Sequence, residues 1–200
     1  MTAMEKTFTN RNPIPLNRKA ALLALFLFLT GLSLGSFLEM ELAAEVRDDL
    51  WRFLHLPGGS AASSLTLLLH SLGRNLPLFL LTAAAPLTVI GFPASLLVLL
   101  FKGVSLGFSA ALLFQSAGFH GLFLTVTSLM PQNLLLLPCF YTAAVLAIQF
   151  FLCLFGSSDS LGNCLKLHSL PFLKKQLRLL PFLLLGCLLE ALTGPIQLPL

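Results

Sequence analysis

Charged residues interrupt this chain in few places, and the apolar runs between them are long. Lys19 and Glu39 bracket a charge-free stretch, Ala20 to Leu38. A helix needs about 20 residues to cross about 30 Å of hydrocarbon, so this stretch predicts a span over 20–38. The pattern then reverses. Glu39, Glu41, Glu45, Asp48 and Asp49 join two arginines, while Leu42, Val46, Leu50, Phe53 and Leu54 recur at helical spacing. That predicts an amphipathic helix over 39–56 lying on the membrane surface and ended by "PGG". "SAASSLTLLLHSLGRN" follows as a short connecting helix.

Residues 75–158 carry one charge, Lys102. The length fits three spans with surplus, or four, and charge asymmetry decides between them. The N-terminal tail has Lys6, Arg11, Arg18 and Lys19 against Glu5, which places it inside. The segment 156–178 has Lys166, Lys174, Lys175 and Arg178 against Asp159, which places it inside as well. The acidic loop between the first two spans is then outside. Outside to inside requires an odd number of crossings. Three fit, over 75–92, 94–117 and 134–155. The surplus, 119–133, is expected as a broken or re-entrant half-helix. A fifth span over 179–195 leaves the C-terminus outside.

Composition supports this pattern. The chain is 56% hydrophobic and 10% charged, with mean hydropathy +0.91, where a soluble domain carries roughly 25% charged residues. The expected fold class is all-α, a polytopic membrane protein. A cytoplasmic tail over 1–19 precedes a single transmembrane domain over 20–200. The net charge of +4 comes from basic residues at predicted membrane edges, which reads as orientation and not as a nucleic-acid surface. "GLSLGSFLEM" offers no A-x-A-like cleavage site, so the first run is expected to remain as a span. Cys139, Cys153, Cys164 and Cys187 form no CxxC pair and read as small apolar residues. No metal and no cofactor is expected.

Three features carry candidate chemistry. Gly31 and Gly35 lie in "GLSLG", and Gly103 and Gly107 in "GVSLG". Glycines four apart let helices approach closely in lipid. Packing within the protein is the first use for such a stripe; self-association or contact with a partner helix is the other. Pro131, Gln132 and Asn133 break an otherwise apolar stretch. Irregular backbone at membrane depth must be buried in protein or line water. One reading is structural, with Asn133 capping the helix that follows. The other is a polar site for a partner or solute. Lys102 and Glu190 are the intramembrane charges and should face the interior, a cavity or an interface. The predicted topology puts Lys102 near the cytoplasmic edge and Glu190 near the outer one, so the two are not expected to pair. His55, His70, His120 and His168 are scattered. Neither HExxH nor a P-loop is present, and no two carboxylates share an intramembrane helix face. An enzyme is not expected.

The stretch from "GFPASLLVLLFKGVSLGF" to "TSLMPQNLLLLPCFYTAAVLAIQFF" resembles the core of the stage II sporulation protein M family. The matching residues are Lys102, Gly103, Gly107 and Phe108, then Pro131, Gln132, Asn133 and Pro138. "LLLGCLLEALTGP" resembles that family's last span, with Glu190 and Pro195 in matching places, and "LFLTGLSLGSF" fits less specifically. The resemblance covers the chain from about residue 20 onward, and the amphipathic 39–56 stretch departs from it. It implies a multi-pass protein of the bacterial cell membrane that holds peptidoglycan hydrolases, stage II sporulation proteins D and P, at the septal membrane during engulfment. The alternative is a small transporter or flippase-like protein, because broken helices and buried polar groups also make substrate sites.

Overall fold

The computed structural model describes residues 18–43, 45–47, 49, 64–88, 92–124, 130–156 and 161–193. The tail over 1–17, most of the amphipathic segment beyond Asp49, and residues 194–200 lie outside them. Among the described residues are α1 (Arg18–Met40), α2 (Ser64–Ala84), a 3₁₀ turn (Ala85–Leu87), α3 (Phe92–Leu124), α4 (Met130–Gly156), α5 (Leu161–Leu177) and α6 (Leu180–Thr193). No strand occurs among them. The chain is an all-α polytopic membrane protein. Four stretches are long and apolar enough to cross a membrane: Arg18–Met40, Leu65–Leu87, Pro93–Gln115 and Asn133–Phe155.

The first helix takes in Arg18 and Lys19 at its start and Glu39 near its end. Its hydroxyls do not interrupt it, because Thr30 and Ser36 donate to the carbonyls of Phe26 and Leu32, one turn back. The second span differs from the sequence expectation. Ser64–Ala84 is one helix that runs through Pro77, so the stretch expected as a connecting helix is the first half of the span. The proline removes one backbone donor, which a membrane helix tolerates when its surroundings satisfy the freed groups.

Helix α4 is the centre of the bundle. Ala143, Ala144, Val145, Leu146 and Ala147 are completely buried, and the helix as a whole contacts α1, α2, α3, α5 and α6. A helix apolar on every side suits such a position. Phe140 meets Phe79 of α2 edge-on at 6.3 Å, and Phe150 stacks on Phe172 of α5 at 4.5 Å.

α1 and α3 form the tightest pair. Gly31 lies against Leu100, Gly103 and Val104, and Gly107 lies against Leu32. The numbering rises on both helices together, so they run parallel. α2 runs the other way along α3, since Ser95 donates to the Thr82 carbonyl and Lys102 to Asn75. α4 likewise opposes α5 and α6, with Ala143 at Gln176 and Leu136 at Gly186.

The described residues of the last third of the chain form two helices, α5 and α6. α5 and α6 follow one another along α4, separated by a turn at Arg178–Leu179. The turn is held by Arg178 N–H donating to the Lys174 carbonyl and Leu179 N–H to that of Gln176. Within the expected fifth span, 179–195, the described residues form the 14-residue α6, which follows α5 along α4 past that turn. The sequence placed a boundary at Arg178 but missed that the residues before it are helical and packed. The break lies beside the middle of α4, where the Gln176 side chain donates to the Ala143 carbonyl at 3.0 Å and Tyr141 donates to the Ala21 carbonyl at 2.9 Å. Those two bonds bring the basic start of α1 (Arg18, Lys19) near the level of Lys174, Lys175 and Arg178.

The half-helix expected over 119–133 breaks at another point. α3 continues to Leu124 but turns at Gly118, with φ 57° and ψ −132°. That backbone is open to glycine and strained for other residues. Gly118→Ala should cost about 1–3 kcal/mol even though no atom crowds the position. A thermal melt in detergent reads the loss, and an unchanged melting temperature would show that the turn can relax. Residues 125–129 lie outside the described set, and α4 then starts at Met130. Pro131 falls in its first turn, where a missing N–H costs little. Asn133 is consequently inside the helix and not at its cap.

Candidate functional site

A polar cavity of about 70 Å³ lies among α2, α3, α4 and α6. Several individually minor sequence choices build it. α2 contributes Arg74 and Asn75, with Ser71 one turn before Asn75 and hydrogen-bonded to it. α3 contributes Lys102, Ser105 and Ser109 with Leu106. The first turns of α4 contribute Asn133 and Leu136, and α6 brings Glu190. Arg74 and Ser105 are exposed at its edge, and Asn75 is 1% exposed.

The hydrogen bonds run as a chain. Ser71 Oγ donates to Glu190 Oε2 at 2.5 Å. Asn75 Nδ2 donates to the Ser71 carbonyl at 3.0 Å, and Cys187 Sγ lies 3.8 Å away. Asn75 Oδ1 accepts from Lys102 Nζ. The same ammonium lies 4.8 Å from the centroid of the Phe140 ring, a cation–π contact. Lys102 and Glu190 are therefore joined through Asn75 and Ser71, contrary to the expectation that they lie near opposite faces. Lys102 is ten residues past Phe92 and Glu190 ten past Leu180. Each is about 15 Å along its own helix. The turn between α5 and α6 sets α6 so that these depths coincide.

A second polar cluster lies at the other end of α1. Glu39 is fully buried, and Arg47 Nε donates to its Oε1 at 2.8 Å. Gln115 of α3 donates to Oε2 at 2.6 Å. This carboxylate fastens the start of the amphipathic segment to the ends of α1 and α3. The sequence reading placed Glu39 among surface acids, with no sign of its partners.

The four glycines are where the expectation of internal packing put them. A Cβ on Gly103 would lie 2.6 Å from the Phe28 carbonyl oxygen, and Gly31 and Gly35 face backbone of α3 in the same way. The α1–α3 seam therefore occupies this stripe. Both pentads also spell G-x-S-x-G. That pattern marks a nucleophile only on a strand-to-helix elbow, and here each serine is inside a helix. Asn133 of the "PQN" break lines the cavity; the side chains of Pro131 and Gln132 lie outside the described set. Ser71 and Arg74 were missed because the second span was started at residue 75, which left Asn75 at its first position. Taking the apolar run back to Leu65 places Ser71 and Arg74 inside it.

Among known proteins, the family model described as Stage II sporulation protein M matches residues 23–195. No curated protein and no solved structure matches the chain.

Proposed function

The chain belongs to the stage II sporulation protein M family, and on that footing we propose that it is a non-enzymatic membrane scaffold. It would hold peptidoglycan hydrolases of the kind represented by stage II sporulation proteins D and P at the bacterial cell membrane during engulfment. The observation that carries the reading is the family match across nearly the whole bundle, from within α1 to beyond α6. A scaffold also needs a rigid frame on which a partner can register. The α1–α3 glycine seam and the Glu39–Gln115–Arg47 cluster supply one, and they lead into the acidic segment expected outside the membrane.

Affinity capture of the tagged protein from its native membranes tests this. The expected result is enrichment of cell-wall hydrolases over a mock capture from membranes lacking the tagged protein. Intact protein that captures none would remove the reading.

The second reading, a small transporter or flippase-like protein, draws on the polar cavity at membrane depth. Its expected result is solute or lipid movement by the purified protein in vesicles, with no hydrolase captured.

A further inference from the structure

Arg74 is in an unusual place. It lies well inside the apolar stretch Leu65–Leu87, and its side chain is exposed. An arginine at membrane depth is costly unless an anion or water meets it. The cavity beside it holds a second cation, Lys102. The one carboxylate there, Glu190, is engaged by Ser71. The cavity thus carries more positive than negative charge, with hydroxyl and amide groups of Ser105, Ser109 and Asn133 around it.

We propose that this cavity binds a phosphate-bearing anion, with Arg74 at the mouth and Lys102 inside as its cationic contacts. A guanidinium fork suits two phosphate oxygens, and an ammonium with neighbouring hydroxyls suits a third. The depth suits a lipid. Lys102 covers Phe140, the sequence neighbour of Tyr141, whose hydroxyl reaches Ala21. Gly103, next to Lys102, packs on Phe28 and Gly31 of α1, so the cavity lies within the apolar depth of the bundle and its opening is at Arg74. Basic pockets between membrane helices take anionic headgroups. A free phosphate has the same chemistry and would enter by the same opening. The inference does not depend on hydrolase binding.

The test uses full-length protein stripped of lipid in detergent, titrated with phosphatidylglycerol, with a phosphate-free neutral glycolipid, and with inorganic phosphate. Binding is read by native mass spectrometry and thermal shift. Phosphatidylglycerol should bind and the glycolipid should not. Arg74→Gln should weaken the binding about tenfold, and Arg74→Lys should restore part of it. Arg74 is exposed, so its variants are expected to fold, and Lys102→Gln gives an independent loss at the inner contact. Competition by inorganic phosphate shows that the headgroup is what is held. Binding of inorganic phosphate without phosphatidylglycerol assigns the site to a free anion, which also supports it. Equal binding of glycolipid and phosphatidylglycerol with no phosphate effect would overturn the proposal, as would an Arg74→Gln protein that binds as wild type does.

Discussion

Gly107→Leu should yield no folded protein, while Gly73→Ala should leave it intact. The two glycines have the same local propensity and opposite surroundings. A Cβ at Gly107 would press into the Leu32 carbonyl oxygen, with the Leu32 carbonyl carbon at 2.9 Å and its Cα at 3.1 Å. These are backbone atoms of a packed helix and cannot rotate away. At Gly73 nothing lies within 4 Å. Overpacking in a tight contact costs about 1–3 kcal/mol and occasionally more, so Gly107→Ala is already expected near the upper end of that range. Leucine adds volume that only separation of α1 from α3 can accommodate. At Gly73 alanine should be neutral or stabilising by up to about 1 kcal/mol. Monodispersity and melting temperature in detergent give the comparison. If Gly107→Ala and Gly73→Ala melt together, the close approach of α1 and α3 is wrong.

Asn75→Leu should destabilise the bundle by about 3 kcal/mol, and Lys102→Met should recover most of the loss. Asn75 is buried, accepts from the Lys102 ammonium and donates to the Ser71 carbonyl. Leucine keeps similar bulk and removes both functions. A charge deprived of its acceptor costs more than a neutral group would. A hydrogen bond to a charged group is worth about 1.5–3 kcal/mol, while replacing both partners by apolar groups of the same shape can be nearly neutral. The prediction is therefore a strong coupling in a double-mutant cycle read by thermal unfolding. Strictly additive losses would mean that Lys102 does not depend on Asn75.

The seam was legible because it depends on two short glycine patterns and one physical rule. The same spacing that suggested close packing is the register in which Gly31 meets Gly103. The cavity was less legible because it depends on where helices start and stop. Pro77 following Asn75 and Leu76 looks like a helix beginning, yet the helix had begun at Ser64 and runs through it. That shift moves Arg74 from the water side into the apolar stretch. Lys166, Lys174 and Lys175 look like a cytoplasmic connection. They are carried by α5, whose Phe172 is buried against α4 and whose far end meets α6 at a turn. Once that rod is broken at Arg178–Leu179, Glu190 reaches the depth of Lys102. Hydropathy along the chain reports how apolar a segment is, not its depth relative to a neighbour. Glu39 teaches the same point, since its burial depends on Gln115 from a helix more than seventy residues away.

The most direct test of the scaffold reading needs no cell. The purified protein is placed in lipid nanodiscs, and the binding of separately purified stage II sporulation proteins D and P is measured against empty nanodiscs and against nanodiscs holding Asn75→Leu with Lys102→Met. That double variant should keep the α1–α3 frame while losing the cavity's inner cation, Lys102. The account predicts that both loaded nanodiscs retain the hydrolases and the empty ones do not. Equal retention on loaded and empty nanodiscs would contradict it.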